Sequence, residues 1–118
     1  MESRTRLFAE FAVAGLRYWD AVEVHDSIKV GARVTLVPEF DNPYDPNAVA
    51  LYLDGKKIGF VPRGMNEGIA QLLYFGHDIF DAFVSEADFT RSVSEQVHVV
   101  VKVKDARGEQ GSAAAAHA

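Results

Sequence analysis

An aromatic ring and a carboxylate lie next to each other between two prolines near the middle of the chain. Tyr44 and Asp45 occupy this position within the segment Asn42-Pro43-Tyr44-Asp45-Pro46-Asn47-Ala48-Val49. Proline fixes its own φ angle and biases the preceding residue toward extended backbone, so the two side chains can adopt few orientations. Asn and Asp also favour tight turns, because their side chains bond to nearby backbone amides. The segment predicts a rigid turn that presents a ring and an acid, although a purely structural turn with a surface tyrosine fits these residues equally well.

A guanidinium followed by two aromatic rings ends the first apolar part of the chain, in the motif Gly15-Leu16-Arg17-Tyr18-Trp19. Adjacent side chains of an extended segment point to opposite faces, so we expect one of the two rings to enter the core and the other to stay outside. Single-stranded nucleic acid sites combine an arginine with an exposed ring, since the ring stacks on a base and the guanidinium binds phosphate. A core tryptophan beside a surface arginine is the alternative that this motif alone favours.

The other chemistry-bearing residues form no arrangement typical of an enzyme or a metal site. The four histidines are scattered, and none has the short spacing of a helical metal-binding pair. The acidic and amide residues of the 41–47 segment lack the downstream glutamate of a calcium loop. No glycine-rich phosphate loop precedes a helix, and no serine lies in a nucleophile elbow. We therefore expect no catalytic residue, no metal and no cofactor, although folding could bring distant groups together.

Short apolar segments separated by turn residues account for most of the chain and predict β-strands. In the last of these segments Val97, Val99, Val101 and Val103 fall on one face of an extended chain and the opposite face is largely polar, which predicts a strand with one buried face. Asp54-Gly55 is a strong signal for a two-residue hairpin turn. The predicted strands cover residues 7–14, 30–38, 48–53, 57–61, 79–84 and 96–104.

One helix is expected from Asn66 to Phe75. Asn66 is a favourable N-cap, an apolar stripe follows at helical spacing, and Gly76 supplies a stop. We interpret the stripe as core packing. Many short strands with one helix indicate a mainly β (α+β) fold class, namely a small OB-like or SH3-like β-barrel of about six strands with one α-helix.

The length and composition fit a single globular domain, because 118 residues with 48% apolar content can bury one core. We expect an N-terminal tail over residues 1–6, the β-barrel domain over 7–105, and a disordered tail over 106–118, which is rich in Gly, Ser and Ala. No segment has the length of a membrane span or the apolar core of a signal peptide. The absence of cysteine is compatible with the cytoplasmic location that we expect.

The net charge of −5 argues against a generic nucleic-acid binder, which is usually basic. The charge is unevenly distributed, however. Residues 1–64 carry nine acidic and eight basic side chains, whereas residues 65–118 carry eight acidic and four basic ones. Both candidate motifs lie in the nearly neutral half, so any binding of DNA must come from local stacking and a few fixed contacts. We expect the affinity to be weak, micromolar or worse.

Four segments of the chain together resemble the HIRAN domain family. The resemblance covers roughly residues 8–103 and keeps the family's order of motifs. Each motif is weak alone, but all four at short spacings make a specific match. The segments are Gly15-Leu16-Arg17-Tyr18-Trp19, Val30-Gly31 ahead of Pro38-Glu39, the 42–49 segment, and Ile58-Gly59-Phe60-Val61-Pro62-Arg63.

The resemblance implies an OB-like barrel that captures the 3′ end of single-stranded DNA. In the best understood eukaryotic member, two tyrosines sandwich the terminal base, an aspartate accepts a hydrogen bond from the 3′-hydroxyl, and basic side chains hold phosphates. One position departs from that member, where Phe60 replaces a polar imidazole. The matching positions here are Tyr18 and Tyr44 for the sandwich, Asp45 for the hydroxyl, Arg17 and Arg63 for phosphates, and Asn42 for a polar contact.

The function implied by the resemblance is therefore a noncatalytic DNA-binding module that recognises 3′-hydroxyl ends. Its partners would be single-stranded DNA ends and a helicase or nuclease protein, since family members in larger proteins accompany such modules. A second function is also compatible with these residues, namely that of a protein- or peptide-interaction barrel that uses the same aromatic groove. They do not indicate an oligomeric state.

Overall fold

The structure, a computed structural model, describes residues 5–16 and 25–105. This part of the chain contains six β-strands, one α-helix and three short 3-10 turns. The strands are β1 (Thr5–Ala12), β2 (Arg33–Pro38), β3 (Val49–Leu53), β4 (Lys56–Phe60), β5 (Phe80–Ala87) and β6 (Val97–Lys104), and the helix is α1 (Glu67–Tyr74). The 3-10 turns cover His25–Ser27, Arg63–Met65 and Val93–Glu95.

The six strands form one antiparallel sheet in the order β1-β6-β5-β2-β3-β4. The sheet is not a continuously closed barrel, but its two outer strands approach each other at one point. Just after β1, Ala14 exchanges two backbone hydrogen bonds with Phe60 of β4, with N···O distances of 2.9 and 2.8 Å. The predicted fold class, mainly β with about six strands and one α-helix, is confirmed, and closure of the barrel is limited to this bridge.

Gly59 makes the close approach at this bridge possible. A Cβ atom at position 59 would lie 2.7 Å from the carbonyl oxygen of Ala14 and in contact with Cγ1 of Val13. Real Cβ atoms do not approach other atoms so closely, so only glycine fits where the chain after β1 crosses β4. The Ile58-Gly59-Phe60 motif therefore has a packing function as well as a place in the site described below.

The β3–β4 hairpin follows its sequence signal. Asp54 and Gly55 both have positive φ, 51° and 77°, as a two-residue type I′ turn requires. The β2 strand, in contrast, begins at Arg33 rather than at residue 30. Gly31 has a φ of 92° and the N–H of Ala32 donates to the carbonyl of Lys29, so a turn occupies the start of the predicted strand. A left-handed glycine cannot continue regular strand pairing.

The α1 helix lies within the predicted range, and it ends at the predicted glycine. Gly76 has a φ of 82°, its N–H donates to the carbonyl of Leu73, and the N–H of His77 donates to the carbonyl of Leu72. These two bonds form a Schellman motif. At the other end Asn66 occupies the predicted N-cap position, but its side chain makes no hydrogen bond to the helix.

The core lies between the inward face of the sheet and α1. Val97, Val99 and Val101 of β6 are buried at alternate positions, as their spacing predicts, and Ile69 and Ala70 of the helix pack with them. The apolar stripe of α1 thus serves the core. Within the described ranges, the structure has no helix both long and apolar enough to span a bilayer.

Candidate functional site

A surface pocket of about 300 Å³ opens where the 42–47 loop, the end of β4 and the start of α1 meet. The structure brings five of the seven predicted site residues together around it. The two others, Arg17 and Tyr18, lie outside the described residues. The lining consists of the predicted residues Asn42, Tyr44, Asp45, Phe60 and Arg63, together with Ala14, Ala48, Val61 and Asn66.

Asn42 organises the loop from within. Its Oδ1 accepts hydrogen bonds from the backbone N–H groups of Tyr44 and Asp45, at 2.9 and 3.1 Å. Its Nδ2 donates to Glu39 Oε1 at 3.1 Å, and the same carboxylate pairs with Lys57 of β4, 2.6 Å away. An asparagine that bonds the next two amides fixes a tight turn, so Asn42 sets the direction in which its two neighbours point.

Each carboxylate oxygen of Asp45 accepts a hydrogen bond from another residue. Oδ1 accepts the backbone N–H of Asn47 at 2.9 Å, and Oδ2 accepts Nδ2 of Asn66 at 2.9 Å. Arg63 Nε lies 3.5 Å from Oδ2. The Asn47 bond is the main cause that lowers the pKa of Asp45 below its usual value, and the amide of Asn66 and the nearby Arg63 charge lower it further, while desolvation opposes them. The carboxylate is therefore ionised at neutral pH and only accepts hydrogen bonds.

Arg63 connects the 3-10 turn after β4 to the loop. Its Nη2 donates to the backbone carbonyl of Tyr44 at 2.7 Å while its Nε faces Asp45. The side chain is nevertheless 70% exposed. Guanidinium carries five N–H donors, so these contacts leave donors that can reach an anion at the pocket mouth.

Two aromatic rings border the pocket in different ways. Tyr44 is 84% exposed, so nearly its whole ring is available for stacking. Phe60 is half-buried, with Nζ of Lys57 lying 5.1 Å from its ring centroid. The pocket therefore offers an exposed ring, an apolar wall, an ionised carboxylate and a cation to one small solute. Across residues 5–16 and 25–105, no three His, Asp or Glu side chains cluster as ligands for a metal ion.

The HIRAN domain family model matches residues 7–104, which is most of the chain. The chain belongs to the HIRAN domain family. HIRAN domains are DNA-binding modules. The family assignment made from the four sequence motifs is therefore confirmed. No curated protein matches this HIRAN domain in sequence.

Two solved structures share the fold of this HIRAN domain. The HIRAN domain of human HLTF superposes with a TM-score of 0.63 at 20% identity, covering 86% of this chain and 81% of that one. A protein from Lactobacillus plantarum superposes with a TM-score of 0.70 at 22% identity, covering 86% of this chain and 97% of that one. At these identities the likeness establishes the architecture.

Asn66 is the polar residue among the pocket members that sequence reasoning missed. The asparagine was predicted only as a helix cap, yet its side chain is buried and donates to Asp45, 21 residues earlier. An asparagine before a helix is an ordinary N-cap signal, and nothing in the local sequence marks a bond to a distant loop. Only the tertiary approach of α1 to the loop reveals it.

A second groove also borders this loop. Its lining includes Pro46 and Asn47 of the loop, Phe40 and Tyr74. The rings of Phe40 and Tyr74 meet edge to face with their centroids 4.6 Å apart, and Phe75 meets Tyr74 in the same way at 5.0 Å. All three rings are exposed. The sequence analysis did not predict this aromatic surface, whose members come from two distant segments.

Proposed function

We propose that this HIRAN domain is a noncatalytic module that binds the 3′-hydroxyl end of single-stranded DNA in the pocket beside the 42–47 loop. The observation that carries the proposal is the pairing of an exposed ring with an ionised acid on adjacent residues. Tyr44 offers a stacking face, and Asp45 offers a hydrogen-bond acceptor next to it. Stacking is indifferent to base identity, so this pair would recognise an end rather than a sequence.

Asp45 supplies the selectivity for the terminal hydroxyl. An ionised carboxylate has about four lone-pair sites, and its contacts with Asn47, Asn66 and Arg63 leave at least one of them open. A sugar hydroxyl can donate to that site. A terminal phosphate has no comparable donor at neutral pH and carries negative charge, so the same carboxylate would repel it.

The second ring of the base sandwich is assigned to Tyr18, by the family resemblance. Chain connectivity supports this assignment. Ala14 lines the pocket, and Tyr18 follows four residues later in the sequence. Even a fully extended chain places the two Cα atoms at most about 14 Å apart. Arg17, its neighbour, is assigned to a phosphate on the same grounds, together with Arg63, whose exposed guanidinium retains free donors.

The rest of the site predicts modest affinity. Phe60 adds an apolar or stacking surface instead of a polar contact, and the net charge of −5 gives no long-range attraction for DNA. Asn42 already uses its amide within the loop, so its contribution is to hold Tyr44 and Asp45 in place. A weak end-binder would act beside a helicase or nuclease partner. We propose this partnership and a cytoplasmic location as expectations from family and composition.

The direct test is a titration of one oligonucleotide with three different 3′ ends. The ends are the free hydroxyl, a 3′-deoxy end that cannot donate a hydrogen bond, and a 3′-phosphate. We define the hydroxyl preference as the affinity for the hydroxyl end divided by the affinity for the 3′-deoxy end. We expect a preference of about tenfold, because a hydrogen bond to a charged acceptor is among the stronger ones. The phosphate end should bind more weakly still. Equal affinity for all three ends would contradict the proposal.

A second function, peptide binding, is favoured by the exposed aromatic surface of Phe40, Tyr74 and Phe75. Among residues 5–16 and 25–105, no charged side chain lines the adjoining groove, so this part of the chain offers no cation there for a DNA phosphate. Large exposed apolar patches commonly bind other proteins. The distinguishing measurement compares two variants against a nuclease-treated extract. A protein partner at this surface would be lost on Tyr74→Ala and retained on Tyr44→Ala, whereas DNA binding should show the opposite pattern.

A further inference from the structure

We propose that Asn66 is the positioning residue that holds the Asp45 carboxylate in the orientation that accepts the terminal hydroxyl. The inference rests on the proposed end-binding function and adds a residue to the same site. It concerns the side chain behind the acid rather than a group that touches the nucleotide. Three observations support it, namely the burial of Asn66, its missing helix cap and its bond to Asp45.

Asn66 gives up the local bond that its position normally makes. It is 3% exposed and occupies the N-cap position of α1. An N-cap asparagine ordinarily has extended backbone and accepts a hydrogen bond from an N–H of the first helical turn. Here the backbone has helical angles, φ −98° and ψ −18°, and the side chain makes no cap bond. A favourable contact within the helix is replaced by one with the loop.

The replacement contact fixes the plane of the acid. Nδ2 of Asn66 donates to Oδ2 of Asp45, while the backbone N–H of Asn47 donates to Oδ1, each at 2.9 Å. With one donor on each oxygen, the carboxylate group cannot rotate without losing a bond. The amide belongs to a buried residue at the start of α1. The position of the Asp45 carboxylate is therefore fixed relative to the core and not only relative to its own exposed loop.

Arg63 is unsuited to this positioning role. Its Nε lies 3.5 Å from the same oxygen, and its side chain is 70% exposed. Exposed ion pairs with long side chains contribute little and reorganise easily. If Arg63 moves to a phosphate when DNA binds, Asn66 keeps the second oxygen of Asp45 satisfied and in place. The two residues would thus have different roles. The amide of Asn66 orients the Asp45 carboxylate, and the guanidinium of Arg63 is free to bind a phosphate of the ligand.

Two variants of Asn66 test the inference through the hydroxyl preference. Asn66→Ala removes the donor, and the preference should fall about tenfold with much of the stacking affinity retained. Asn66→Asp keeps the size and shape of the side chain, but it places a second carboxylate against Asp45. At about pH 8 the preference should be lost, and at about pH 5.5 it should return, because one proton shared by the acid pair restores a donor. The wild-type preference should be the same at both values.

The controls separate failure of the inference from failure of the proposed function. Gln71→Ala, an exposed change elsewhere on α1, should leave the preference unchanged. A wild-type protein without any hydroxyl preference would overturn the function and this inference with it. A wild-type preference that persists unchanged in folded Asn66→Ala and Asn66→Asp would overturn the inference alone. In that case the asparagine would only join the helix to the loop, and its loss would be seen as lower thermal stability.

Discussion

Ala14 and Phe60 join the two outer strands of the sheet at the wall of the candidate pocket. Their two backbone hydrogen bonds are the bridge between the chain after β1 and the end of β4, and both residues line the pocket. The position of the pocket wall therefore depends on closure of the sheet at this point. Gly59 permits that closure, since a side chain there would meet Val13 and the carbonyl of Ala14.

We expect Gly59→Ala to destabilise the protein and to open the pocket wall. The added methyl would have to push the backbone at Ala14 away, and such overpacking typically costs about 1–3 kcal/mol. Denaturant unfolding measures the change in the free energy of unfolding. Gly64→Ala is the matched control, because no heavy atom lies within 4 Å of a Cβ placed there. Equal stability of the two variants would show that the approach of the chain to Gly59 is not tight.

The sequence predicted those parts of the site that are encoded locally. The loop with Tyr44 and Asp45 is a turn determined by its own prolines and amides. Together with the three other motifs, in their order along the chain, it was enough to identify the family. The Asp54-Gly55 turn and the buried valines of β6 were likewise predictable, because each follows from the residue types at fixed spacing.

Features that depend on distant segments could not be predicted in this way. The bond between Asn66 and Asp45 spans 21 residues, and the contact between Phe40 and Tyr74 spans 34 in the sequence. Neither has a local signature. The start of β2 was also placed too early, because the pattern could not reveal that Gly31 adopts a left-handed conformation.

Tyr44→Ala should weaken binding to single-stranded DNA without unfolding the protein. A base stacked on an aromatic ring typically contributes enough for a loss of about 5- to 150-fold. The ring is 84% exposed, so its removal should change the melting temperature little. Fluorescence anisotropy with a labelled oligonucleotide and a thermal melt measure the two quantities. A large fall in melting temperature would instead indicate that Tyr44 serves the turn itself.

Arg63→Gln should reduce DNA affinity and flatten its dependence on salt. Each phosphate contact on single-stranded DNA contributes a slope of about −0.7 to the plot of log affinity against log salt. Arg33→Gln is the matched control, since Arg33 is similarly exposed and paired with an aspartate, Asp81, but lines a different groove. The two variants should differ in both affinity and slope. If the two variants had the same affinity and the same salt slope, Arg63 would not be a phosphate contact.

The hydroxyl preference should persist well into the acid range. Asp45 has a lowered pKa, so it stays ionised below the usual aspartate value of about 3.9. The contribution of its contacts to folding is correspondingly full above that value and is lost as the pH falls through the lowered one. Titrations of the hydroxyl and 3′-deoxy ends between about pH 8 and 4.5 should give the same preference. A preference that declines near pH 6 would show that another group controls it.

We propose that Asp45 distinguishes a 3′-hydroxyl from other groups at the DNA end, and Asp45→Asn tests this role most directly. The substitution keeps the shape of the side chain but replaces one acceptor oxygen with a donor group and removes the charge. The hydroxyl preference of the wild type, about tenfold, should fall to about one in Asp45→Asn, and the discrimination against the 3′-phosphate end should shrink with it. A hydroxyl preference that is unchanged in a folded Asp45→Asn protein would contradict the account.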